Sequence, residues 1–303
     1  MVGRSFDRSA MSKPGSTCVL ISYYDRRSVE PIWRLFECMA RNAPGRDYRV
    51  GIVVNRTGAH RLSLPTSSRL IAVHERENLG MNIGAWDAGW RHFAGFETYA
   101  FLQDECYPVR AGWLDAIAAC AERADVGLAG ESMNTSWELD WNELRENQAA
   151  HPMPEHLIDG KAANRVDAYL DFFRRAGIPP GATGRHLRSL TWAARRDVLE
   201  RIGGFPIGAN YGECIAAEIG TTKRIEAGGL RAVQVAEQPF AYVRHMEWNQ
   251  DGPGGPFVHS APPAALFERP NWADGISAGV LPWRDVLRLL IDRLRRPLAR
   301  TGN

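Results

Sequence analysis

Tyr99-Ala-Phe-Leu-Gln-Asp-Glu-Cys-Tyr-Pro108 runs four mostly apolar residues straight into Gln103, Asp104 and Glu105. The pattern reads as a buried strand ending in two adjacent carboxylates. Desolvating a charge is costly, so acids at the lip of a core strand call for a partner. A divalent cation suits them, because hard cations such as Mg2+ and Mn2+ take one or two carboxylates together with substrate phosphates. The same residues also read as a strand followed by a solvated acidic turn, and the stretch by itself does not separate the two.

On the N-terminal side, strands and helices alternate. Thr17–Tyr23 is a continuous apolar run rich in β-formers, as expected of a strand buried on both faces. Glu30–Asn42 spaces Ile32, Leu35, Phe36 and Met39 helically, with Pro31 in the first turn. Tyr48–Asn55 and Leu70–His74 are expected strands, Asn82–Phe93 a helix, Tyr99–Leu102 a strand, Gly112–Arg123 a helix and Val126–Gly130 a strand. This alternation predicts an α/β fold, a mostly parallel central sheet with helices on both faces. Sheets of that kind bind ligands at the carboxyl ends of their strands.

Further on, Ser136–Gly184 is Trp-rich, then polar, then helical over Val166–Ala176, and is expected to be an insertion packed over the sheet edge. Leu190–Ala194 resumes the core as a strand, and Arg196–Ile202 is a helix stopped at Gly203-Gly204-Phe205. Glu213–Ala227 is a helix, Ala232–Val235 and Phe240–Val243 are strands, and Gly252–Pro263 is a Gly/Pro-rich loop. Trp283–Leu298 is an expected last helix in which leucines and arginines interleave.

The 303 residues carry a formal net charge of +2, whereas a nucleic-acid binder usually shows a clustered basic face. No run approaches a membrane span. Residues 1–15 are polar, lack the apolar core of a signal peptide and are expected to be a disordered lead-in. The five cysteines are scattered without CxxC spacing, which argues against a zinc or disulfide framework and for a reducing, cytoplasmic setting.

Polar residues gather at the expected strand ends: Ser22, Tyr23 and Asp25 after the first, Asn55 at the close of the second, and Arg76 with Asn78, Gly80, Asn82 and Gly84 after the third. Side chains at the first two ends are placed to read a nucleobase and ribose. Gly80 and Gly84 let backbone approach a ligand, and the helix after Asn82 turns its amides toward an anion. Taken singly, Asn55 also reads as a strand cap and Asn78-x-Gly80 as an ordinary turn.

The order of these features, with Arg195-x-x-x-x-x-x-Ile-Gly-Gly-Phe205, an acidic helix and Gly228 downstream, resembles the family-2 glycosyltransferases of the GT-A fold. Within that family it looks like the polysaccharide and rhamnosyl transferases. The resemblance covers roughly residues 17–245. It implies transfer of a hexosyl or deoxyhexosyl group from a nucleotide-diphosphate donor to a hydroxyl of a glycan or lipid-linked acceptor, with inversion and with Mg2+ or Mn2+ as cofactor. It divides the chain into a catalytic domain at 16–265, an acceptor-side insertion at 136–184 and a C-terminal extension at 266–303.

The family's Asp-x-Asp motif is Gln103-Asp104-Glu105 here. The resemblance assigns Glu105 and His245 to the metal and Asp104 to the donor. Outside it, His245 is a hydrogen-bonded histidine at a strand end. Inversion needs a base for the acceptor hydroxyl. The usual Glu-Asp pair is missing, and the candidates are Glu213 and Glu218, with Glu213 preferred for its place at the helix start. Their other readings are a capping charge and a surface carboxylate. Arg76, Arg244 and His245 are candidate cations for the diphosphate. The helix at 283–298 suits either peripheral contact with the inner face of a membrane or packing on this domain or on the second subunit of a homodimer. Two further readings stay open: a non-catalytic nucleotide-sugar-binding or scaffold protein, and a nucleotidyltransferase. The latter would carry a Gly-rich basic loop near its start, and Ser22–Ser28 has no glycine.

Overall fold

The structure is a computed structural model. It describes residues 16–25, 29–56, 67, 69–148 and 152–246, and the short strands at 249–250 and 257–258. The expected lead-in at 1–15, most of the loop at 252–263, and the helix at 283–298 lie outside the described residues.

The first half follows the expected alternation. Strand β1 (Thr17–Tyr24) leads to α1 (Glu30–Arg41), β2 (Tyr48–Arg56), β3 (Leu70–Glu77), α2 (Met81–His92) and β4 (Thr98–Gln103). A short β5 (Cys106–Pro108), α3 (Trp113–Ala121) and β6 (Val126–Gly130) follow. After β7 (Met133–Asn134), the insertion carries α4 (Trp141–Gln148), the hairpin β8 (Met153–Ile158) and β9 (Lys161–Ala163), then α5 (Arg165–Arg175). The chain returns through β10 (His186–Leu187), β11 (Thr191–Arg195), α6 (Arg196–Arg201), α7 (Tyr211–Ala227), β12 (Arg231–Gln234) and β13 (Val243–His245). Two short antiparallel strands, β14 (Asn249–Gln250) and β15 (Phe257–Val258), are the last elements among the described residues.

Seven strands form the central sheet in the order β12-β6-β11-β4-β1-β2-β3. All pairs are parallel except those of β11, which runs antiparallel to β4 and β6. This is the mixed, mostly parallel α/β sheet that the alternation predicts. β1 is buried on both faces. Cys18 and Leu20 face an apolar layer that includes Trp86 of α2 and Ile219 of α7, while Val19 and Ile21 face Ile32 of α1 and Ile117 of α3. Helices therefore cover both faces, and the continuous apolar run of β1 follows from that double burial.

The structure departs from expectation at three places. β3 continues to Glu77, because its pairing with β2 runs on through Asn55↔Arg76 and Arg56↔Glu77. The strand expected at Phe240–Val243 starts only at Val243: Phe240 follows Pro239 in a turn with φ +57°, and the Glu131 carboxylate takes the N–H groups of Tyr242 and Val243. His245 is thus the last residue of a strand that pairs with β5, His245 opposite Cys106. The insertion, expected over the sheet edge, packs instead on α7, and Tyr169, Phe172 and Phe173 of α5 join the apolar layer on that face. No helix among the described residues is long and apolar enough to cross a membrane.

Candidate active site

Parallel register brings the strand ends together. Tyr24 lies opposite Asn55, and Ser22 opposite Gln103. Beyond the strands, the Asp25 N–H reaches the Asn55 carbonyl at 3.3 Å, and the Asp104 N–H reaches the Ser22 carbonyl at 3.0 Å. Ser22, Asp25, Asn55, Asp104 and Glu105 are all buried polar residues on this one edge. Tyr23 points the other way, its ring packed in the apolar layer with α1.

Asn55 organises the loop after β3. Its Nδ2 donates to the Met81 carbonyl at 2.9 Å, and its Oδ1 accepts from Arg76 at 3.2 Å. Arg76 also donates to the Leu79 carbonyl at 2.8 Å, and burial pulls its guanidinium below its ordinary range. Gly80 and Met81 are both left-handed, with φ of +75° and +50°. Glycine adopts this freely, whereas methionine does so only under the constraint of its surroundings. A Cβ at Gly84 would collide with the Leu79 carbonyl oxygen. Asn78 has its Oδ1 shielded from solvent without a hydrogen-bond donor among the described residues.

The acidic end of β4 meets β13 across β5. His245 Nε2 lies 3.5 Å from Glu105 Oε2 and 3.3 Å from Gln103 Oε1. His245 is 2% exposed, Asp104 4% and Glu105 9%. Among the described residues no three His, Cys, Asp or Glu side chains gather as a metal cage. A buried carboxylate beside an imidazole nevertheless fits a cation that draws its remaining ligands from a diphosphate. Glu105 and His245 are the residues that would hold it. Arg244, between them in sequence terms and on β13, is exposed.

Ser189, which the sequence does not single out, is the hub of the site. Its carbonyl accepts from Gln103 Nε2 and from Asn82 Nδ2, each at 2.7 Å. Its N–H donates to Glu218 Oε2 at 2.8 Å, and its hydroxyl bonds the same oxygen. Glu218 Oε1 lies 3.0 Å from His186 Nε2, and His186 Nδ1 lies 2.7 Å from the Gly184 carbonyl. Burial raises the Glu218 carboxyl, but His186 and Ser189 outweigh it and hold the group below the ordinary carboxylate range. The side chain keeps 20% of its surface exposed. Arg188 stands beside this carboxylate, and burial draws its guanidinium down to about 10.

Glu213 sits elsewhere in the same helix. One of its oxygens pairs with Arg175 at 2.8 Å and the other accepts the Ala209 N–H at 2.7 Å. Cys214 follows it, and burial pushes that thiol up to about 11. The structure thus brings Ser22, Asp25, Asn55, Arg76, Asn82, Asp104, Glu105, His245 and Glu218 to one edge, and leaves Glu213 at the α5–α7 contact. His186, Arg188 and Ser189 escaped the sequence reading because the two-residue strand β10 and the connection after it carry no motif.

No protein-family model matches the chain. No curated protein sequence matches it either. Among solved structures it is similar to a mannosyltransferase from Pyrobaculum calidifontis in complex with GDP-Man and Mn2+, at 15% identity and a TM-score of 0.41, over 72% of this chain and 53% of that one. It is also similar to S. aureus TarS 1-349 in complex with UDP, at 14% identity and a TM-score of 0.40, over 75% of this chain and 59% of that one. A third is the catalytic domain of Drosophila beta1,4galactosyltransferase 7 in complex with xylobiose, at 10% identity and a TM-score of 0.36, over 76% of this chain and 70% of that one. The chain therefore spans about half the length of the mannosyltransferase. At such values the likeness is one of chain path and assigns neither activity nor residue roles.

Proposed function

We propose that the protein is a glycosyltransferase that moves a sugar from a nucleotide-diphosphate donor to a hydroxyl of a glycan or lipid-linked acceptor, with inversion and with Mg2+ or Mn2+. The observation that carries this reading is the shared strand-end edge. Asn55 and Ser22 with Asp104 stand on the donor side, Glu105 and His245 beside them, and Glu218 reaches the same edge through Ser189. In this reading Asn55, Asp25 and Ser22 bind the nucleoside, and the loop from Asn78 to Gly84 turns its backbone toward the diphosphate. Glu105 and His245 would hold a divalent cation, which would supply positive charge toward the leaving diphosphate.

The reading gives the base to Glu218 in preference to Glu213. Glu218 is held below the ordinary carboxylate range and is partly exposed, and Ser189 links its carboxylate to Gln103. Glu213, whose oxygens meet Arg175 and the Ala209 N–H, stays at the α5–α7 contact, away from that edge. Proton transfer from the acceptor hydroxyl to the Glu218 carboxylate accompanies attack on the sugar carbon. Glu218→Gln should lower transfer about 10²–10⁴-fold while nucleotide binding persists; turnover at the wild-type rate would return the role to Glu213. The first measurement is calorimetric titration with a panel of nucleoside diphosphates, with and without Mn2+. Affinity for one of them supports the reading, and the absence of any binding rejects it.

A second reading, nucleotide-sugar binding without transfer, draws on the altered acidic motif Gln103-Asp104-Glu105 and on the missing Glu-Asp pair. Tight donor binding with no transfer to any acceptor tested would favour it.

A further inference from the structure

Gln103 occupies the position at which the resembled family keeps its first carboxylate. Its amide has a defined sense. Nε2 lies 2.7 Å from the Ser189 carbonyl oxygen, and a carbonyl oxygen only accepts, so the NH2 end must point there. The carbonyl end, Oε1, then faces His245 Nε2 at 3.3 Å. The same imidazole nitrogen is 3.5 Å from Glu105 Oε2. Ligand atoms on neighbouring octahedral directions at about 2.1 Å from one cation stand roughly 3 Å apart, so His245 Nε2 lies close enough to each oxygen for a small adjustment to let one cation share them. Amide oxygens are accepted ligands for hard cations, as carboxylates are.

We propose that Gln103 Oε1 is a protein ligand to the cation, alongside Glu105 and His245, and that the Ser189 carbonyl locks the amide in the ligating orientation. The inference deepens the transferase reading and rests on it for the identity of the cation's other ligands. It also accounts for the absence of a three-membered His, Cys, Asp or Glu group among the described residues, since the third member is an amide. Without a cation, His245 Nε2 carries hydrogen and donates it to Oε1; the other neutral tautomer, with hydrogen on Nδ1, frees the nitrogen for the metal. A neutral ligand in place of a carboxylate lowers the negative charge of the site. The protein alone should therefore hold the cation weakly, and a diphosphate should supply the missing charge.

The test is Mn2+ titration of the full chain, followed by the electron paramagnetic resonance of free Mn2+, without nucleotide and with UDP or GDP. Wild type should bind Mn2+ weakly alone and at least tenfold more tightly with a nucleotide it recognises. Gln103→Ala and the similarly sized Gln103→Leu should each weaken that binding roughly 10–100-fold, the range seen when a metal site loses a supporting group. Gln103→Glu should restore it, because the carboxylate again offers oxygen to the metal. Nucleotide binding without metal, measured on each variant, reports that the site is still folded. Wild-type Mn2+ affinity in both Gln103→Ala and Gln103→Leu would overturn the proposal. The two readings fail separately. Nucleotide binding that Mn2+ never strengthens removes the Gln103 site and leaves a metal-free transferase, whereas Mn2+ held at Gln103 by a protein with no nucleotide affinity removes the transferase.

Discussion

Glu131 is a carboxyl sealed inside the molecule at the end of β6, 1% exposed. Its Oε1 accepts the Val243 N–H at 2.9 Å and its Oε2 the Tyr242 N–H at 3.4 Å. It therefore anchors the strand that presents His245. Burial pushes its pKa up from 4.5 to about 7, against the pull of those backbone hydrogen bonds. The folded state then holds a proton that the unfolded state has released, so stability falls as pH rises across that window and is level above it. The full drop is about 3 kcal/mol. Glu131→Gln should flatten the slope, as measured by urea unfolding at pH 5 and pH 8. A wild-type protein equally stable at both values would refute the buried-acid account. Glu218 has the opposite sign. Its depressed pKa stabilises the fold above the ordinary carboxylate range, and that contribution is lost on acidification through the lowered value. At this scale the sequence exposed Asp104 and Glu105 as acids suited to a metal, and the resemblance added His245 while turning Asp104 to the donor. It was silent on Glu131, since a lone Glu after an apolar strand carries no mark of what will close over it.

At the scale of elements, the loop from β3 into α2 is the part under most constraint. Gly80 and Met81 are left-handed in succession, and Gly84 lies against the Leu79 carbonyl. Gly84→Ala forces that carbonyl or the helix to move, and overpacking of this kind costs about 1–3 kcal/mol. The thermal midpoint should fall, and nucleotide affinity should fall with it, because Asn55 and Arg76 hold the same loop through the Met81 and Leu79 carbonyls. Unchanged nucleotide affinity at a lowered midpoint would separate the loop from the ligand. Most elements were legible from apolar spacing: α1, β1, β6 and α6 fall within a residue or two of where periodicity puts them. β3 was read too short, because an edge strand with one exposed row loses its apolar signal while its backbone pairing continues. β13 was shifted, because the N–H groups that a longer strand would use go to the Glu131 carboxylate.

For the whole molecule, the sheet has two apolar layers, and the one under α2 and α7 also supports the site. Trp86 and Trp192 meet there with ring centroids 5.3 Å apart, and Trp86 Nε1 donates to the Leu102 carbonyl at 3.2 Å, next to Gln103. Trp192→Ala should cost about 3–5 kcal/mol in the denaturation midpoint through the cavity it leaves. Trp192→Phe should recover a good part of that. The sequence by itself determined the α/β class, the succession of strands, and which strand ends carry polar side chains, because these follow from local periodicity and from composition. Only the tertiary structure decided that Ser189 joins Gln103, Asn82 and Glu218, and that Glu213 pairs with Arg175. Those contacts link residues 29 to 107 positions apart. They are hydrogen bonds and an ion pair whose partners are set by how β10 with the connection after it, and α5, pack on α7, a matter of packing that leaves no period in the chain.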